Sequence, residues 1–96
     1  MTIDGTLDLH GMRQAEAHSA LQRFILSHQA RGSRKLLIIT GKGTRSEEAG
    51  ILKAKLPQWL GLADLKPYIL KISSAQPKHG GSGAFYILLR REKNKS

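Results

Sequence analysis

Leu36, Leu37, Ile38 and Ile39 follow one another with no polar residue between them, and the run closes on Thr40-Gly41. An aliphatic run this short, bracketed by Gly32 and Gly41, is too brief for a helix and lacks the alternation of a half-covered strand. It therefore predicts a central strand over 35–40, buried on both faces. Everything else in a chain of 96 residues must cover that strand, and this length suits a single small domain over 1–96.

The flanking segments supply the cover. Upstream, Thr6-Leu7-Asp8-Leu9-His10 alternates apolar and polar residues and ends at Gly11. That pattern predicts a short strand with Asp8 and His10 on one face. Over 12–31, Ala17, Leu21, Phe24, Ile25 and His28 recur at helical spacing, and Gly32 is a good residue to end the helix. Strand, helix, strand in this order implies a parallel pair with a right-handed crossover.

Downstream, Thr44 and Glu47 have the spacing of a capping box, with Ser46 as a second candidate cap. A helix is expected from there to about Leu60, broken or kinked near its end by Pro57. Lys66 to Ser74 alternates as a strand, 75–83 reads as a polar loop, and Ala84 to Arg90 is a final strand pairing antiparallel with it. The aromatic residues Phe24, Trp59, Tyr68, Phe85 and Tyr86 read mainly as core, His28 as partly packed and His18 as a surface residue. The expected fold is a two-layer α/β sandwich, β-α-β-α-β-β, with a four-stranded mixed sheet and a basic tail over 91–96.

Composition narrows the function. There are 16 Lys and Arg against 7 Asp and Glu, a formal charge of +9. Such an excess suits a polyanionic partner, with nucleic acid first. No cysteine is present, which excludes disulfides and cysteine-ligated zinc and suits a reducing compartment. No apolar run reaches the roughly 20 residues of a membrane span, and no signal peptide is visible. A cytoplasmic monomer without membrane attachment is the expectation.

Three short motifs carry the chemistry. Gly41-Lys42-Gly43-Thr44 is similar to the end of a P-loop, but Leu36 stands where the Walker pattern needs its first glycine. What remains is a glycine turn feeding a helix N-terminus, a geometry that favours phosphate, with Lys42 and Arg45 adding charge. His79-Gly80-Gly81-Ser82-Gly83 holds three glycines in four residues after a histidine and can point backbone N–H groups at an anion. Ser82 is no nucleophile, because a strand rather than a helix follows it. Asp8 and His10 have the makings of an acid–base pair. Read separately, each motif has an ordinary structural alternative: a turn, an exposed loop, two solvated side chains.

Taken together, Leu7-Asp8-Leu9-His10-Gly11, Thr40-Gly41-Lys42-Gly43 and His79-Gly80-Gly81-Ser82-Gly83-Ala84 resemble the signature of the Smr (small MutS-related) domain family, over about Thr6 to Arg90. The resemblance implies a fold similar to the C-terminal domain of translation initiation factor three. It also implies nicking or cleavage of DNA or RNA, with catalysis on the Leu-Asp-x-His motif at Leu7, Asp8 and His10. Substrate binding is implied at Thr40, Gly41 and Gly43, and the third motif maps onto His79 to Gly83 with an extra glycine. This chain has Arg45 where many relatives carry His.

The resulting expectation is an endonuclease of low sequence specificity, DNA nicking ahead of RNA cleavage. Asp8, His10 and His79 are the catalytic candidates. Arg13, Thr40, Gly41, Lys42, Gly43, Arg45, Gly80, Gly81 and Gly83 are the phosphate-binding candidates. The scattered carboxylates suit metal-free acid–base chemistry or one loosely held magnesium or manganese ion, rather than a two-metal centre. The alternatives are a nucleic-acid-binding module that does not cut, and a protein-interaction domain, for which nothing beyond the fold speaks.

Overall fold

A computed structural model describes residues 2–41, 47–79 and 81–90. Leu36 and Ile38 are fully buried and Leu37 is 6% exposed, so the aliphatic run is covered on both sides. It forms β2 (Lys35–Ile39), at the centre of a sheet of four strands with β1 (Gly5–Asp8), β3 (Ile69–Ser74) and β4 (Ala84–Leu89). The helices are α1 (Gln14–Arg31) and α2 (Glu47–Leu60). The strand order is β1-β2-β4-β3, with β1 parallel to β2 and both other pairs antiparallel. The chain thus has the expected mixed four-stranded α/β fold.

The two faces of β2 belong to different cores. Leu36 and Ile38 join Leu9, Ile87 and Leu89 of the sheet against Ala17, Leu21 and Ile25 of α1 and Leu52, Leu56, Trp59 and Leu60 of α2. Burying each large aliphatic there contributes about 1.5–3 kcal/mol. On the other face Leu37 clusters with Ala75 and Ala84, flanked by Ile3, Ile39 and Tyr86. Among the described residues neither α1 nor α2 contributes to that cluster; Ala75, just after β3, does, and the Pro77–His79 turn follows it.

α1 buries Ala17, Leu21, Ile25 and His28, the stripe its spacing predicts. It ends where Gly32 takes φ 83°, with Gly32 N–H donating to Gln29 O and Ser33 N–H to His28 O. That is a Schellman closure, and the left-handed residue it needs is a glycine. The caps expected at Thr44 and Ser46 lie outside the described residues.

Pro57 lies inside α2 near its end, and the helix closes at Leu60 as expected. Three expectations are corrected. Residues 66–68 form a 3-10 turn instead of strand, because Pro67 fixes φ and has no N–H for a ladder. The alternation of β3 also breaks: a bulge between Ile69 and Lys71 changes the phase. Ile69 and Ile72 both pack on the helix-side core while Leu70 is 48% exposed. His18 is half-buried rather than on the surface, its ring stacked on Trp59 with centroids 5.0 Å apart.

Candidate functional site

The carboxyl ends of β1 and β2 lie side by side, where open α/β sheets place ligands. The ladder runs one residue past β1, with Leu9 N–H donating to Ile39 O at 2.7 Å. The chain then turns through Gly11, at φ 84°, with Met12 N–H returning to Leu9 O. His10 is at the tip of that turn. Asp8 Oδ1 accepts its backbone N–H at 3.0 Å and lies 2.7 Å from its ring Nδ1.

This is the local turn chemistry that aspartate favours, its side chain capturing an N–H two residues on. A carboxylate only accepts, so in the neutral imidazole Nδ1 carries the proton and Nε2 presents a lone pair. The pair is well exposed, 69% for His10 and 48% for Asp8, so it adds only about 0–1 kcal/mol to stability.

Thr40 and Gly41 clip the second motif to the third. Gly83 O accepts Thr40 N–H at 2.8 Å and Gly41 N–H at 3.0 Å. Thr40 Oγ1, fully buried, lies 3.3 Å from the same carbonyl and 3.1 Å from Gly41 O. Gly41 has φ 92°, and a Cβ there would stand 3.7 Å from His10 Cβ and 3.2 Å from Ala49 Cβ. So His10, Gly41 and Gly83, one residue from each motif, form a continuous seam.

The seam changes what the glycines do. Gly41 N–H is committed to Gly83 O, and Gly81 N–H to Gln76 O at 3.0 Å. Neither amide is free to cradle a phosphate as expected; these residues shape the loops instead. Thr40 likewise acts as an internal fastener. Lys42, Gly43, Arg45 and Gly80 lie outside the described residues.

Arg13 follows His10 by three residues and N-caps α1, its side chain exposed. Among the described residues no lysine or arginine side chain is in an ion pair. Their charge is thus available to a polyanion.

His79 ends the 3-10 turn Pro77–His79 and is half-buried. Its Nδ1 lies 2.6 Å from Tyr86 Oη. No hydrogen bond joins it to Asp8 or His10. Asp8 is in register with Ile39, and Ile39 with Ala84, so Asp8 shares the helix-free face with Tyr86. Two strand spacings separate β1 from β4 there, about 10 Å. The site therefore has two walls: the Asp8–His10 pair and the His79 loop.

Tyr86 packs, half-buried, against the second core on the helix-free face, and its hydroxyl reaches His79 from there. Parity along β4 carries the signal, since Tyr86 alternates with the core residues Phe85 and Ile87. The described residues contain no group of three or more His, Asp or Glu placed to hold a metal. No helix among the described residues is long and apolar enough to cross a membrane.

A mixed four-stranded sheet with α1 and α2 packed on one face defines a small α/β sandwich. The Smr domain model matches residues 7–90, and the chain belongs to the Smr domain family. It is 37% identical over 78 residues to the Escherichia coli (strain K12) protein named probable DNA endonuclease SmrA, covering 79% of this chain and 40% of that one. It is 34% identical over 86 residues to the ribosome rescue factor SmrB of Shewanella oneidensis, covering 90% of this chain and 44% of the relative. The chain thus spans less than half the length of these curated relatives. Among solved structures, YdaL, a stand-alone small MutS-related protein from Escherichia coli, superposes with a TM-score of 0.80 at 35% identity, over 90% of this chain and 64% of that one.

Proposed function

We propose that this chain is an endonuclease domain that breaks phosphodiester bonds with little sequence specificity, nicking DNA in preference to cleaving RNA. The observation that carries the reading is the Asp8–His10 pair set against Gly41 at the carboxyl ends of the parallel strands. With Nδ1–H held by Asp8, His10 Nε2 takes a proton from water. The water oxygen bonds to phosphorus, the P–O ester bond breaks, and the leaving oxygen takes its proton from solvent, while His79 stabilises the charge on the phosphate. Arg13, with Lys42 and Arg45, supplies charge to the phosphates; the glycines of the second and third motifs shape the loops around them. The relatives' names support a nucleic-acid or ribosomal setting, and SmrB's name keeps structured RNA as the second substrate.

The test is purified protein on supercoiled plasmid and on structured RNA, with and without EDTA. Nicked circles that form with wild type and vanish with Asp8→Ala, while binding persists, uphold the proposal. Binding without cleavage under every condition would leave a non-catalytic nucleic-acid-binding module in its place.

A further inference from the structure

Tyr86 is the hub of the loop that carries His79. Its hydroxyl oxygen accepts Gln76 N–H at 3.1 Å and lies 2.6 Å from His79 Nδ1. Gln76 O in turn accepts His79 N–H at 2.8 Å and Gly81 N–H at 3.0 Å. Both ends of the Pro77–His79 turn are thus tied to one phenol. The phenol itself is held in place: its ring meets the imidazole edge-on, with centroids 5.7 Å apart, and Lys35 Nζ stands 4.2 Å from its centroid.

The proton count then favours one state of the imidazole. A tyrosine hydroxyl has one proton to give and two lone pairs. One lone pair already takes Gln76 N–H. His79 Nδ1 is the acceptor within reach of the hydroxyl proton among the described residues. With Tyr86 donating, Nδ1 accepts, and the ring proton of neutral His79 must sit on Nε2. His10 is held in the opposite sense, because the acceptor-only carboxylate of Asp8 requires the proton on Nδ1. With that assignment the two neutral imidazoles of the site are opposite tautomers, one offering a lone pair and the other an N–H.

We infer that Tyr86 is a positioning residue that sets His79 as an Nε2–H donor to a phosphate oxygen of the bound nucleic acid. The inference deepens the nuclease reading and rests on it for the identity of the ligand. The tautomer itself rests only on Tyr86, Gln76 and His79. Phe at the same position would keep the ring and lose the donor.

The test uses Tyr86→Phe, which preserves the ring packed beside Leu37 and Ala84. The first readout is nitrogen NMR of the imidazoles at mildly alkaline pH, with the His79 signals assigned by their loss in His79→Gln. Wild type should show His79 with an unprotonated Nδ1 and a protonated Nε2; Tyr86→Phe should relax it to a mixture of tautomers. A wild-type His79 protonated on Nδ1, or an unchanged tautomer in Tyr86→Phe, overturns the inference, even if the variant melts at a lower temperature.

The second readout is nicking. Tyr86→Phe should lower the rate roughly tenfold, in line with one lost hydrogen bond. The double variant Tyr86→Phe/His79→Gln should be no slower than His79→Gln alone. Additive losses would show that Tyr86 does not act through His79. If wild type cuts nothing, the nuclease reading fails while the tautomer measurement still decides the role of Tyr86.

Discussion

Gly41 faces His10 across the seam between the first two strands, near enough that a Cβ at Gly41 would lie 3.7 Å from that of His10 and 3.2 Å from that of Ala49. Its φ of 92° is a conformation that side chains resist. Gly41→Ala should therefore lose about 1–2 kcal/mol from backbone strain alone. The crowding against Ala49 adds to that loss and moves the turn relative to His10. Urea denaturation gives the stability change, and nicking rates should fall by more than the loss of folded protein accounts for. An unchanged midpoint would contradict the left-handed turn.

The opposite end of β1 meets a histidine in a different way. A Cβ on Gly5 would stand 2.6 Å from His28 Cε1 and Nε2, a separation no packing tolerates. His28 is also anchored, its Nδ1 2.7 Å from Ser33 Oγ and its ring edge-on to Phe24. Gly5→Ala should cost about 1–3 kcal/mol by overpacking. Adding His28→Ala to it should recover part of the loss, giving a non-additive cycle in denaturant midpoints.

His28 also sets an acid limb of stability. Burial pushes its pKa below the usual 6.5, Arg31 lowers it further, and Asp4 opposes them. The unfolded chain then binds the proton more readily than the native one. This contribution is complete above pH 6.5 and is lost as pH falls from there through the lower native value. Asp4 adds a second limb at lower pH. The backbone N–H groups of Arg34 and Lys35 hold its carboxyl below 3.8, so its contribution is present above that value and disappears as pH falls through the native one. Thermal melts against pH should show His28→Gln flattening the first limb and Asp4→Asn the second.

Asp8 has two jobs at one oxygen, holding both the ring and the backbone N–H of His10. Asp8→Ala releases the imidazole and its tautomer together. Nicking should drop by about 10²–10⁴-fold, the usual contribution of a positioned acid–base group. The exposed pair contributes little to stability, so the melting temperature should hardly move. A variant that unfolded instead would make Asp8 a structural residue.

Arg13 tests the phosphate contacts. Binding should weaken steeply with salt as counterions are released, and Arg13→Ala should lower the slope of log K against log salt by about one. Affinities measured across a salt series decide this. A wild-type affinity indifferent to salt would remove nucleic-acid phosphates from the site.

Much of this was legible in the residues alone. The unbroken Leu36–Ile39 run required cover on both faces, and the stripe from Ala17 to His28 supplied most of it. Both signals are local, because hydrophobic period follows directly from helix and strand geometry. The three motifs and their order were also readable, as was the pairing of Asp8 with His10, which lie two residues apart.

Tertiary structure alone decided how the motifs are joined. Thr40 and Gly41 reach Gly83 across more than forty residues, and that bond occupies amides that a loop reading leaves free. The bulge at Ile69–Lys71 fixes which side chains of β3 face the core, and a one-residue change of phase reverses every assignment after it. Tyr86 meets His79 because β4 pairs antiparallel with β3 and turns the loop between them back over the helix-free face. Residue type and spacing therefore determined the elements and the reactive groups. The direction in which each group gives or takes a proton depended on partners that only strand register brings within reach.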